Sequence, residues 1–128
     1  MGTNRNGEIA EQIVASTLLK LGFNASEPVL EDRYDLIADI GGDLVKVQVK
    51  KGYKDGSREN TFRANLENQI QSEDGFTKYS DENVDAFALY DSSCESVYWL
   101  WKDEAPETEL RRKYSKMKKF QAKKRLTS

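Results

Sequence analysis

Residues 33–52 read RYDLIADIGGDLVKVQVKKG, two β-rich runs around a glycine pair. Residues 35–40 and 44–51 form the runs, and Gly41-Gly42-Asp43 between them signals a tight hairpin, because glycine accepts the positive φ angles of such turns. Side chains alternate across a strand, so Val45, Val47 and Val49 share one face while Leu44, Lys46, Gln48 and Lys50 share the other. In the preceding run Asp35, Ile37 and Asp39 share a face, with Leu36, Ala38 and Ile40 opposite. The hairpin then carries Asp35 to the far end of its partner strand, where Gln48 and Lys50 sit. An acid, an amide and an amine converge on one patch, which is either a solvent-facing surface with an incidental ion pair or a site.

Working outward, Ile9, Ala10, Ile13, Val14, Leu18 and Leu21 recur at helical spacing before Gly22, which predicts an amphipathic helix over residues 6–21. Glu11 lies at the border of its apolar stripe and can reach over the sheet edge; Glu8 and Gln12 point to solvent, and Glu8 is a favourable acid in the first turn. An extended piece over residues 25–29 follows, placed at a sheet edge by Pro28. Residues 52–83 are polar, with a strand expected over 61–66 and a helical turn over 66–71. Order returns with a strand pair at 84–91 and 96–102, in which Trp99 and Trp101 read as core or subunit interface rather than base-stacking platforms. Pro106 and Glu107 open a last, basic C-terminal helix at about residues 107–125, with Leu110, Tyr114, Met117 and Phe120 or Gln121 on one face. The plan is α-β-β-β-β-α, an α/β sandwich with a mixed sheet.

Composition narrows the chemistry. With 128 residues, 38% of them hydrophobic and 33% charged, the chain is expected to form one domain over 1–128. Absence of any His and presence of the single Cys94 exclude an internal disulfide, a His- or Cys-based metal cage and a Ser-His triad, so any metal must be held by oxygen. The sequence has no apolar run of membrane-spanning length and no secretory signal pattern at its start, which predicts a cytoplasmic protein. A net charge of −2 hides an asymmetry: residues 111–128 hold nine Lys or Arg and no acid, leaving eleven basic residues against twenty-two acids before them. A basic tail on an acidic body either steers the protein to a polyanion or is a solvated helix.

Four segments together carry a family resemblance: N-G-E-I-A-E (6–11) in the first helix, L-G-F (21–23) closing it, R-Y-D-L (33–36), and V-Q-V-K-K-G (47–52). They resemble the PD-(D/E)XK nuclease superfamily, most strongly its group I intron-associated, homing-type endonucleases and more distantly its Holliday-junction resolvases. The resemblance covers residues 5–52, and residues 84–101 by strand pattern. It implies a restriction-endonuclease-like core, a mixed central β-sheet flanked by an N-terminal and a C-terminal helix. It also makes Asp35 the motif aspartate and metal ligand, puts Gln48 at the D/E position, makes Lys50 the motif lysine, and matches Glu11 to the helix glutamate. The backbone carbonyl of Val49 is a further ligand by the same resemblance. Tyr34 stands where the motif has Pro, and Gln48 replaces a carboxylate by a neutral amide, a change that the intron-associated branch itself uses.

The implied activity is a Mg²⁺-dependent DNA endonuclease, with Mn²⁺ as a substitute. Such a cation takes hard oxygen ligands and needs only one or two carboxylates from the protein. Lys51, Lys54, Arg58 and Arg63, on or just after the catalytic strand, are candidate phosphate contacts or simply solvated charges. Cutting both strands calls for two sites and hence a homodimer or homotetramer. The alternatives are a Holliday-junction resolvase, an RNA-processing nuclease of related fold, and a non-catalytic nucleic-acid-binding domain that keeps the fold.

Overall fold

A computed structural model of the chain describes residues 5–29, 34–67 and 84–127, with the backbone alone at 69–72 and 75–78. Helix α1 (Arg5–Lys20) buries Ala10, Val14 and Leu18, a four-residue spacing that aligns one apolar stripe. It is closed by hydrogen bonds from the Gly22 amide to the Leu19 carbonyl and from the Phe23 amide to the Leu18 carbonyl, the paired bonds that satisfy a helix C-terminus. Short strand β1 (Asn24–Ser26) follows, as expected at the sheet edge, pairing only with β2 (Leu36–Ile40).

Strand β3 (Asp43–Lys54) organises the molecule. Its turn with β2 is the pair Gly41 and Gly42, at φ +62° and +92°, the double positive φ that a two-residue hairpin requires. That turn sets the register, Ile40 opposite Asp43 and Leu36 opposite Val47, and the register in turn sends Val45, Val47 and Val49 inward. Along its other edge β3 pairs in parallel with β7 (Ala86–Asp91), which pairs with β8 (Ser96–Trp101). Every residue of β7 is buried, because the strand has a core on each face, and its continuous apolar run follows from that.

Farther along β3 the hydrogen bonding passes to β4 (Thr61–Asn65) and from β4 to β9 (Glu109–Lys113). A separate hairpin joins β5 (Gln69–Ser72) to β6 (Gly75–Lys78). The result is a mixed α/β fold with a seven-stranded sheet. One core lies between the sheet and α1 and contains Val14, Leu18, Val47, Ala88 and Trp99. The other, on the opposite face, gathers Phe62, Leu89, Leu100, Leu110, Met117 and Phe120. Both tryptophans belong to the first core, Trp99 fully buried and Trp101 packed against it.

Two expectations are corrected. Residues 69–71, expected in a helical turn over 66–71, lie instead in β5, and Leu66 leaves β4 with its amide bonded to the Thr108 carbonyl. Nor is there one basic C-terminal helix over 107–125. Residues 109–113 are strand β9, followed by helix α2 (Tyr114–Met117), a 3₁₀ turn (Lys118–Phe120) and helix α3 (Ala122–Leu126). The apolar spacing that suggested a helix is satisfied piecewise, with Leu110 buried from a strand and Met117 and Phe120 from helical turns. Pairing with β4 supplies partners for backbone groups on both strands, and that demand outweighs local helix propensity.

Candidate active site

The site is set by a break in strand pairing. On one edge β3 pairs with β2 through residues 43–47 and with β4 through residues 52–54, so residues 48–51 face neither strand on that side. Asp35, one residue before β2, fills the break. Its amide bonds to the Val47 carbonyl at 2.8 Å. Its carboxylate Oδ2 accepts the Val49 amide at 2.8 Å and the Gln48 Nε2 at 3.0 Å. Alternation along a strand turns the Val49 carbonyl to the same side as its amide, toward Asp35.

Because Gln48 gives its NH₂ to Asp35, its Oε1 is left buried with no hydrogen-bond partner. An orphaned buried acceptor costs about 1–3 kcal/mol, so its persistence calls for a ligand. Helix α1 adds Glu11 from above, its carboxyl within hydrogen-bonding interaction of Asp35. Burial, then the charge of Asp35, push the Glu11 carboxyl up to about 8. Burial also raises Asp35, opposed by the Val49 amide, by Glu11 and by the charge of Lys50. Lys50 is lowered, again by burial and against the pull of Asp35. Two carboxyls repel each other in a recess that one amine does not neutralise, and a hard cation is the group that such a recess lacks.

The structure therefore brings Glu11, Asp35, Gln48 and Lys50 together. Among the described residues no group of three or more His, Cys, Asp or Glu side chains is placed to hold a metal ion; at this site the third side-chain oxygen belongs to an amide, Gln48. Glu8 is exposed in the first turn of α1 and acts on the site only at a distance, by raising Glu11 and Asp35. Glu27 does the same to Glu11 and is tied to α1 by Gln12 Nε2 at 3.0 Å. Sequence reasoning missed Glu27, whose proximity depends on how the chain returns beside α1. It also missed Asp85, which accepts the Lys46 amide at 2.9 Å and returns its own amide to the Lys46 carbonyl at 2.8 Å, locking β3 to the entry of β7.

The four proposed nucleic-acid contacts fall into two groups. Lys51, Lys54 and Arg58 are exposed. Arg63 is half-buried and paired with Glu109 at 3.2 Å. Along the C-terminal segment, Arg112, Lys119 and Arg125 surround the Phe120 ring at 5.2–5.3 Å, and Arg125 is also paired with Glu104. No helix among the described residues is long and apolar enough to cross a membrane.

The recess thus holds an acid, an amide and a lysine at a sheet fork, overhung by a helix glutamate, and the family profile of the PD-(D/E)XK endonucleases matches residues 1–127. The chain belongs to this family. Among solved structures it is similar to a bacterial homing endonuclease, I-Ssp6803I, at 26% identity and a TM-score of 0.70, over 87% of this chain and 78% of that one. No curated protein matches it.

Proposed function

We propose that the chain is a metal-dependent DNA endonuclease of the homing type, hydrolysing phosphodiester bonds with Mg²⁺, or Mn²⁺ in its place. The observation that carries this reading is the buried, unpartnered Gln48 Oε1 beside the Asp35 carboxylate. Asp35, Gln48 Oε1, the Val49 carbonyl and Glu11 would hold the ion. When bound it would supply charge neutralisation at the phosphorane oxygens and help to activate the attacking water.

The chain's own groups do the rest. Asp35 is fixed by two donors, so its free carboxylate edge is aimed before substrate arrives. Lys50, lowered by burial, is poised to hold or give a proton at Nζ and to stabilise charge developing on phosphate. Glu11 orients water from the helix side. Lys51, Lys54 and Arg58 would meet backbone phosphates, and a homodimer or homotetramer would place two sites on the two strands. A single domain over 1–128, expected from length and composition, and a cytoplasmic location, expected from the sequence pattern, complete the reading.

Supercoiled plasmid carrying a library of random inserts, a four-way junction and single-stranded DNA, each incubated with Mg²⁺ or EDTA, provide the test. Cleavage of duplex in Mg²⁺ alone is expected, with Asp35→Ala inactive. Selective cutting of the junction would transfer the protein to the resolvases, and binding without cutting in either Mg²⁺ or Mn²⁺ would make it a non-catalytic module.

A further inference from the structure

Strands β4 and β9 bury apolar side chains on one face only. Phe62, Ala64 and Leu110 join the second core, whereas the core beneath α1 contains no residue of either strand. Alternation therefore leaves Thr61, Arg63 and Asn65 of β4, and Glu109, Arg111 and Lys113 of β9, on a face that α1 does not cover, with Thr61 buried at one end and the others at least partly accessible. Cross-strand register puts Tyr53, Arg63 and Arg111 in a single row. Tyr53 is 47% exposed, and a third of each arginine side chain remains accessible.

The charges in this row are arranged differently from those of a phosphate-binding patch. Glu109 pairs with both arginines, and the buried Asp55 lies 3.7 Å from Arg111. Two acids against two arginines cancel the field that would attract a polyanion. What remains is a tethered pair with donors to spare: Arg63 is paired through Nη2 and Arg111 through Nε, which leaves the other nitrogens of each guanidinium for bidentate recognition of a base edge.

Dimensions agree with this use. β4 and β9 form an antiparallel ribbon of five residue pairs at the sheet edge. Such a ribbon fits a DNA major groove, about 12 Å wide. The three-strand row spans about 10 Å, and Tyr53 is about 10 Å along β3 from Lys50. We propose that the open face of the β4–β9 ribbon, with the adjoining end of β3, enters the major groove of duplex DNA and that Arg63 and Arg111 read base edges there. This rests on the nuclease reading and adds the residues that select the sequence. Duplex RNA does not fit, because its major groove is deep and narrow.

The test is a binding selection from a random-sequence DNA duplex library in EDTA, using the full chain, Arg63→Lys and Arg111→Lys. Lysine keeps the charge beside Asp55 and Glu109 but loses the planar fork. The wild-type chain is expected to enrich a preferred sequence. Each variant should keep affinity for unselected duplex within about threefold while losing about 5- to 150-fold discrimination at one or two positions. A wild-type chain with no preference would overturn the proposal. So would variants with an unchanged sequence profile and only a shallower salt dependence, or duplex RNA competing as well as DNA. Failure of the nuclease reading would show separately, as no Mg²⁺-dependent cleavage of plasmid by the wild-type chain, with or without an enriched sequence inserted.

Discussion

Residues 48–50 and residue 52 of β3 are separated by Lys51 alone and are built on opposite terms. Around Gln48 and Lys50 the pairing of β3 with β2 has ended, an acid stands in place of a strand partner, and a buried oxygen has nothing to bind. At Gly52 the pairing resumes and leaves no spare volume: a Cβ built there would stand 2.3 Å from Phe62 Cζ and 2.8 Å from the Arg63 carbonyl. Phe62 in turn meets Tyr98 edge-on at 5.0 Å. The packed end holds the strand so that the unsatisfied end can stay open. Substitutions in the first region should therefore affect activity and spare the fold, and those in the second should do the reverse.

The largest expected effect is at Asp35 and Lys50. Asp35→Asn and Lys50→Ala should each lower Mg²⁺-dependent plasmid cleavage by about 10²-fold or more. For Asp35→Asn the melting temperature should hold or rise, because burial and Glu8 already disfavour the ionised carboxylate and the amide removes its repulsion of Glu11. Strong cleavage by both variants would remove the site from this fork; unfolding of both would remove the contrast with Gly52.

Next comes Gly52→Val. Overfilling a tight contact costs about 1–3 kcal/mol, and here one of the neighbours is backbone, which cannot swing aside. Urea denaturation should show a lower midpoint. Phe62→Leu in the same chain should recover part of the loss by withdrawing the ring, and no recovery would mean that the Arg63 carbonyl sets the limit.

A smaller effect separates the two regions by pH. An acid whose folded pKa is raised binds its proton more tightly in the folded state, so folding is favoured below that pKa and loses ground above the unfolded value. For Glu11, raised from 4.5 to about 8, stability in EDTA should fall as pH rises from about 4.5 to about 8 and then level. Chemical denaturation at pH 5.5 and pH 8 should show the fall, and Glu11→Gln should flatten it. Gly52→Val should leave the slope intact.

Much of this contrast could be read from residues 33–52. Two glycines fix the hairpin, the hairpin fixes the register, and the register brings Asp35 to Gln48 and Lys50. Glu11 followed from its position at the border of a helical stripe. These are local rules acting over fewer than twenty residues at a time. What escaped them depends on distant partners. Residues 109–113 became a strand because β4 offered an unpaired edge, against the helical spacing of Leu110, Tyr114 and Met117. Glu27 and Asp85 entered the site's surroundings through chain returns that no periodicity records. Arg63 was expected to meet phosphate, and only the pairing with β9 showed it tethered to Glu109.

The smallest predicted change is Gln48→Glu, which sharpens the comparison by acting on the ligand set and leaving the packed end untouched. A third carboxylate should strengthen Mg²⁺ binding, since affinity for a hard cation rises with ligand charge. It also adds a charge to a recess where Asp35 and Glu11 already repel each other, and it removes the NH₂ that Gln48 donates to Asp35. Without metal the variant should be less stable than the wild-type chain, and with metal the deficit should close. Thermal melts across a Mg²⁺ titration measure both: the variant should start lower and gain more, reaching half of its shift at about tenfold less Mg²⁺, a coupling of about 1.4 kcal/mol. Equal Mg²⁺ dependence in the two proteins would mean that the oxygen at position 48 does not face the ion, and that its lack of a partner has another cause.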